Sequence, residues 1–398
     1  MYQSGRNILV AFAEETVYGT LPAAGGATVF RANRGGMNLT KQPIQSGENR
    51  RDGMTTRGRH GQRSVAGEYV ADLSVGTFDA LMEAALRGTW QPALVITEAT
   101  AGLTSVTTTA NTIVASAGSW ITAGLRVGDV IRASDLATAA NNDRNLRIVG
   151  LTASTITVAE TLAVDAAGDT AFTITRPKKL IQGSPIVSRS FTIEESELDI
   201  DGSELFKGCR VGRMRVELQP NAMATITFGF AGQDMEVMTG AQSPYYTNPT
   251  ATASIGLTAV EAAILLGDTP IVDLTAANFE INLNADGTGV VGSVVTPDVF
   301  TNQAVMTGQV TGLRQDFSRV QSFLDEDVLS LSLLFAEQEA DPADFVAFHI
   351  PNLTLATATK SELGQDGPRT QSFDLLVGSD DRGNQYDQTM IKVITSSA

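Results

Sequence analysis

At 398 residues the chain is long enough for two or three domains, each able to bury a core of its own, so more than one domain is expected. Its 42% hydrophobic and 18% charged residues are globular values, and no run of about 20 apolar residues is present to span a bilayer, so a soluble protein is expected. Forty-four Asp and Glu against 28 Lys and Arg leave a net charge of −16, which repels nucleic acid at long range and attracts basic partners.

The opening stretch MYQSGRNILVAFAEE has one basic residue, a short apolar patch and then Glu14 and Glu15. A signal peptide would need a longer apolar region and a cleavage site, so cytosolic synthesis is expected. From Glu48 to Ser64 runs ENRRDGMTTRGRHGQRS, which packs Arg50, Arg51, Arg57, Arg59 and Arg63, three glycines and His60 into 17 residues. Such a strip can be a solvated hairpin loop, a nucleic-acid arm in which guanidinium groups neutralise phosphates, or an arm that docks on another copy of the chain. Charge distribution favours the third reading. Residues 241–398 carry 20 Asp and Glu against 6 Lys and Arg, a net of −14, whereas residues 1–240 hold 24 against 22.

A helix is predicted at 76–88, where Phe78, Leu81, Met82, Ala85 and Leu86 share one apolar face and Gly88 supplies a C-cap. Residues 91–175 form a Thr/Ala/Val-rich block of short alternating strands, read as a small inserted barrel or sandwich, with RVGD (126–129) as a tight turn. The Pro177–Lys178–Lys179 step then returns the chain to the first domain. Alternating strands follow, for example SFTIEESELDI (190–200), RMRVELQP (213–220) and ATITFGF (224–230). Cys209, the single cysteine, excludes an internal disulfide and is expected in a core or strand. The Ser, Pro, Thr and Asn composition of 239–254 suits a linker. NFEINLNADG (278–287) reads as a strand ending in a hairpin turn at Asp286–Gly287, and a weaker helix falls at 316–328 with Phe317, Val320 and Leu324 on one side.

The two helices mark an internal repeat. Val65 onward overlays Val305 onward with one gap, placing Val70 on Val310, Leu73 on Leu313, Phe78 on Phe317 and Leu81 on Val320. Each copy is a strand feeding a short helix, followed later by strands ending in a polar turn, ATITFGFAGQD in one and QSFDLLVGSDD in the other.

Catalytic signals are weak. Only His60 and His349 are available as imidazole bases, and no G-x-S-x-G, Walker A or H-E-x-x-H motif occurs. Asp325, Glu326 and Asp327, and the EQEAD stretch at 337–341, lack the spacing of a calcium loop and read as charged helix and strand ends. No catalytic residue, metal site or cofactor is expected.

The segment ILVAFAEETVYGTLPAAGG (8–26), an apolar strand followed by an acidic pair and YGT-P, resembles the opening of the tail tube (major tail) proteins of long-tailed bacteriophages. The later order is similar too: VFRANRGGMNLTKQ, a long polar loop, a strand into a short helix, and strands ending in VGRMRVELQPNAMATITFGF. The resemblance covers 1–90 and about 176–240, and reaches the second half through the repeat. It implies a mainly β protein with duplicated β-sandwich domains, each with a short flanking helix, at 1–90 plus 176–240 and at 241–398, and a small inserted β domain at 91–175.

Functionally, the resemblance implies a structural virion protein that polymerises into stacked rings forming the hollow tube through which DNA passes. Rings would be trimers with pseudo-six-fold appearance, and the 41–64 segment would reach the next ring, with Arg50, Arg51, Arg57, Arg59 and Arg63 as its contacts. Glu280, Asp286, Asp374, Asp380 and Asp381 are candidates for an acidic lumen along which DNA slides. Implied partners are the chain itself and the tape measure, tail tip and tail terminator proteins, with DNA only in transient passage and no membrane. The implied location is the virion tail, assembled in the host cytoplasm. A carbohydrate-binding virion adhesin is the main rival, weakened by the presence of only Trp90 and Trp120 as tryptophans; a hydrolase using Asp325, Glu326 and Asp327 and a nucleic-acid-binding protein are the others.

Overall fold

The computed structural model describes residues 2–183, 185–364 and 367–397 and is mainly β. The first half supplies β1 (Ile8–Glu14), β2 (Ala32–Ile44), β3 (Arg59–Asp72), α1 (Asp79–Leu86), β4 (Lys178–Ile181), β5 (Phe191–Glu197), β6 (Gly202–Leu218), β7 (Thr225–Gly232) and β8 (Asp234–Thr239). The second half supplies β9 (Ala262–Leu266), β10 (Leu274–Asn282), β11 (Val305–Leu313), α2 (Ser318–Leu324), β12 (Leu329–Ala336), β13 (Phe345–Leu355), β14 (Thr359–Lys360), β15 (Thr370–Val377) and β16 (Lys392–Thr395).

Both halves are wired alike. β2 pairs β3, β3 pairs β7, and β7 pairs the later part of β6; the earlier part of β6 lies between β5 and β8, with β1 beyond β5. In the second half β10, β11, β15, β13 with its continuation β14, β12, β16 and β9 repeat that scheme pair for pair. Even the irregularities recur: register shifts fall between Ala32 and Arg34 and between Leu274 and Ala276.

The two halves join through one strand pair. β6 also pairs β10, from Arg213 opposite Asn282 to Leu218 opposite Ala277. The result is a single antiparallel sheet in the order β2, β3, β7, β6, β10, β11, β15, β13–β14. Its core face follows the two-residue strand period: Ile226, Phe228 and Phe230 of β7 and Ala277, Phe279 and Ile281 of β10 are all buried. Each large apolar side chain so buried contributes on the order of 1.5–3 kcal/mol. Phe78, at the head of α1, lies between Phe30 (5.4 Å) and Phe228 (5.7 Å).

Strands between Leu94 and Arg176 form a separate eight-stranded set with its own core around Trp120 and Phe172. This block sits on the outer sheet of the second half, where Val130 packs with Leu334, Phe345, Ala347 and Ile394. A buried charge cluster fastens it: Lys392 Nζ lies 3.1 Å from Asp129 and 2.7 Å from Asp387, and Lys179 Nζ 3.5 Å and 3.0 Å from the same carboxylates. Gly128, at φ +80°, is required at this contact, since a Cβ there would stand 2.2 Å from the His349 ring. The outer sheet of the first half is covered differently. Tyr246, 1% exposed, packs on Ala11 and Ala27, and Glu194 accepts the backbone N–H groups of Tyr245 (2.6 Å) and Tyr246 (2.8 Å).

Several sequence expectations shift in detail. The left-handed residue ending α1 is Arg87 (φ 52°), not Gly88; glycine is needed at 88 because a Cβ there would meet the Ile181 carbonyl at 2.2 Å. The overlay of the repeat moves by one residue, since Tyr69 and Val310 are core residues whereas Val70 faces out, and a one-residue slip exchanges the faces of a strand. Asp286 and Gly287 form a rung opposite Phe300 and Val299 rather than a turn. After Pro177 the chain first pairs with the second half, as β4 lies beside β16. The 239–254 stretch is docked rather than loose, because its two tyrosines supply apolar surface that its overall composition conceals.

Candidate functional site

Three surfaces are built by this arrangement: the open face of the joined sheet, its two free edges, and the basic loop between β2 and β3. On the open face, alternation with the buried residues places Glu68, Asp72, Glu217, Glu280 and Asp374 against Arg34, Arg213 and Arg215, among threonine, serine, asparagine and glutamine side chains. The β6 arginines are occupied. Arg213 pairs with Glu68, and Arg215 with Glu217 and, at 4.0 Å, Glu280. Asp374 accepts from Thr357 Oγ1 and Gln309 Nε2, both at 2.7 Å, and these bonds hold its carboxyl below the usual carboxylate range. The face is therefore weakly acidic and offers no unpaired guanidinium on β6 to a phosphate.

Of the acidic candidates from the sequence, Glu280 and Asp374 share this face. Asp286 lies in the loop between β10 and β11, and Asp381 is exposed in the loop after β15. Asp380 is 1% exposed and paired with Arg382 at 2.9 Å, so its charge is spent inside the fold.

The arginine candidates divide in the same way. β2 and β3 run past the sheet as a two-stranded ribbon out to Ile44 opposite Arg59, and residues 45–58 close it. Arg50 is tied to Asp52 at 2.5 Å, an exposed pair that lowers the Asp52 carboxyl. Arg63 is half-buried and reaches Asp234 at 3.1 Å. Among the described residues Arg51, Arg57 and Arg59 make no ion pair, leaving a free basic tip.

Each free edge belongs to one half. β2 lies beyond β3 and is exposed along residues 38–44 apart from half-buried Leu39; β14, with the flanking residues 357–362, lies beyond β15. One feature of the β2 edge has no signal in simple periodicity. Glu195 of β5, on the side of its strand that carries core residue Ile193, accepts the Met37 N–H at 2.9 Å and the Tyr69 hydroxyl, whose pKa burial and this carboxylate push far up. Glu204 stands opposite Glu195, and burial with Glu195 and Glu197 raises its pKa. The run EESE broke the apolar alternation in the sequence and was the available sign of it.

No His, Cys, Asp and Glu grouping able to hold a metal ion occurs among the described residues. His60 and His349 are far apart in role: His60 is exposed on the ribbon, while His349 is buried, bonded through Nδ1 to Ser332 at 2.6 Å, and burial keeps its pKa well below the ordinary value. Asp325, Glu326 and Asp327 sit exposed just after α2. No curated protein matches the chain. A family model described as phage tail tube protein matches residues 5–376, nearly its whole length. The chain belongs to the phage tail tube protein family, a structural component of the virion tail.

Proposed function

We propose that the chain closes into rings of three copies, six sandwich repeats in all, and that rings stack into a hollow tube through which DNA passes. The observation that carries this reading is the pairing of β6 with β10 inside the chain. It joins the last inner strand of one repeat to the first inner strand of the next, and the same two strands of the repeat, β14 and β2, are left as the free edges. Unpaired edges of this kind are templates for strand addition. A contact between two different edges is heterologous and closes a ring when its rotation allows.

The repeat also predicts the register. Thr359, opposite Ser372, stands where Arg215 stands opposite Thr227, and Asn38 stands where Glu280 does. Thr359 of one copy therefore lies opposite Asn38 of the next, with Thr357 opposite Thr40 and Ser361 opposite Gly36. The weakly acidic open face becomes the lumen, and its occupied β6 arginines let DNA slide. The basic β2–β3 ribbon stands off the sheet as a contact to the next ring, and the 91–175 block, held on an outer sheet, decorates the exterior.

A cysteine pair tests the ring directly. Cβ atoms of directly opposed residues lie about 4.5–5.5 Å apart, and Cys209 is fully buried and inert. Mild oxidation of assembled Asn38→Cys/Thr359→Cys protein should give linked species up to three copies on a non-reducing gel. Linkage absent in assembled material would contradict the strand pairing.

A further inference from the structure

We infer that the junction between copies carries a charge key, Lys360 of one copy against Glu195, Glu197 and Glu204 of the next, where the junction inside the chain is apolar. The inference rests on the ring reading and goes beyond it, from which strands meet to what makes that meeting specific. Its basis is a comparison of equivalent positions on either side of the two junctions.

Inside the chain, Val216 of β6 is buried and pairs with Phe279 of β10. The outer sheet beneath contributes Leu333, Phe335 and Phe348, each no more than 1% exposed. In the first half the same positions are Glu195, Glu197 and Glu204. The matching pairs and matching register shifts fix this equivalence: Leu329 with Leu353 and Leu331 with Ile350 in one half, Phe191 with Cys209 and Ile193 with Phe206 in the other. Three core apolar side chains are thus replaced by three carboxylates beside the edge where the next copy would add.

The incoming strand carries the complement. Lys360, opposite Gln371, occupies the place of Val216 opposite Ile226, so its register partner across the junction is Met37, whose N–H Glu195 already holds. A side chain at the Val216 position points to the core side, towards the three glutamates. Lys360 is exposed and makes no ion pair among the described residues; nor do Glu195, Glu197 and Glu204. Arg314, Arg319 and Arg369 lie at this end of the second half too, with the Arg314 N–H donating to the Arg369 carbonyl, but Arg319 is spent on Asp273 at 2.6 Å and Asp316 and Glu362 are exposed there, so the complement rests on Lys360 itself.

Such a key selects as well as binds. Of the two free edges, β2 meeting β2 would bring two sets of glutamates together with no cation between them, and β14 meeting β14 would bring two ammonium groups together. Copies therefore join end to end in one sense only.

The test uses the full chain and the oxidative linkage of the 38/359 cysteine pair. Lys360→Glu, a surface change that spares the fold, should raise the concentration needed for linkage by about a hundredfold, and Lys360→Gln by about tenfold. Adding Glu204→Lys to Lys360→Glu should restore most of the loss. Linkage of Lys360→Glu at parental concentrations, or failure of the swap to restore it, overturns the key while leaving the ring reading intact. Failure of the parental pair to link overturns both.

Discussion

The β2–β3 and β10–β11 hairpins hold the same place in the two halves and end in opposite ways. The first keeps its strands paired out to Ile44 and Arg59 and closes with a free, basic loop. The second folds its loop, 283–304, back over the first half: the Val294 carbonyl accepts the Arg63 N–H (2.8 Å), the Thr296 carbonyl accepts Gln233 Nε2 (2.6 Å), and Asp298 pairs with Arg210 (2.8 Å). One duplicated element thus serves as a projecting arm in one copy and as an internal clasp in the other. The frame of the repeat is kept by its core; what differs between copies is what each surface has to meet.

The same contrast appears at the helix heads. Phe78 is fully buried, whereas Phe317, at the matching position before α2, is 71% exposed under the Arg314 guanidinium.

If the arm and the clasp differ as described, reversing the free tip arginines Arg51, Arg57 and Arg59 to glutamate should abolish stacking of rings into tubes. The subunit should stay folded by circular dichroism and rings should still form; normal tubes would remove the docking role of the loop. Next in size, Phe78→Ala should cost about 4 kcal/mol in urea unfolding, because it empties a packed aromatic site. Phe317→Ala should change stability by about 0.5 kcal/mol or less. Equal losses would mean that the two helix heads are equivalent after all.

The covering of the two outer sheets yields a third test. Lys392→Ala leaves the buried Asp129 and Asp387 with Lys179 as their one remaining cation and should cost about 3 kcal/mol. Burial raises the Asp387 carboxyl, but Lys392 and Lys179 outweigh it and hold it well below the ordinary carboxylate pKa. Its folded value being depressed, its contribution is complete above the unfolded carboxylate pKa and is lost only as pH falls through the lower folded value. Asp387→Asn should therefore lower stability at pH 7 and flatten the acid limb of the pH–stability curve. A smaller loss is expected at the clasp, where Asp298→Asn should cost about 1 kcal/mol, its partly exposed pair with Arg210 being screened by solvent.

Much of this frame could be read from residue order. Alternation in ATITFGF and NFEINLN marked strands, the Phe78 face marked α1, and the strand-into-helix echo at Val65 and Val305 pointed to the repeat one residue out of register. Pairing partners were not legible, since nothing local in RMRVELQP says that it lies between ATITFGF and NFEIN. Nor was the fate of the single charges: Asp380 and Asp381 are neighbours in sequence, yet one is sealed against Arg382 and the other is exposed. Lys360 and Glu195 gain meaning only when the two halves are laid over each other in three dimensions, with Val216 and Leu333 as their counterparts.

If the β6–β10 junction inside the chain is the pattern for the junction between copies, end-on and side-view electron microscopy of the assembled protein, carried to a resolution that separates strands, should show a hollow ring with three-fold symmetry in which β14 of each copy lies beside β2 of the next, with Thr359 opposite Asn38. Rings in which those strands are apart, or monomers with both edges solvated at every concentration, would contradict it.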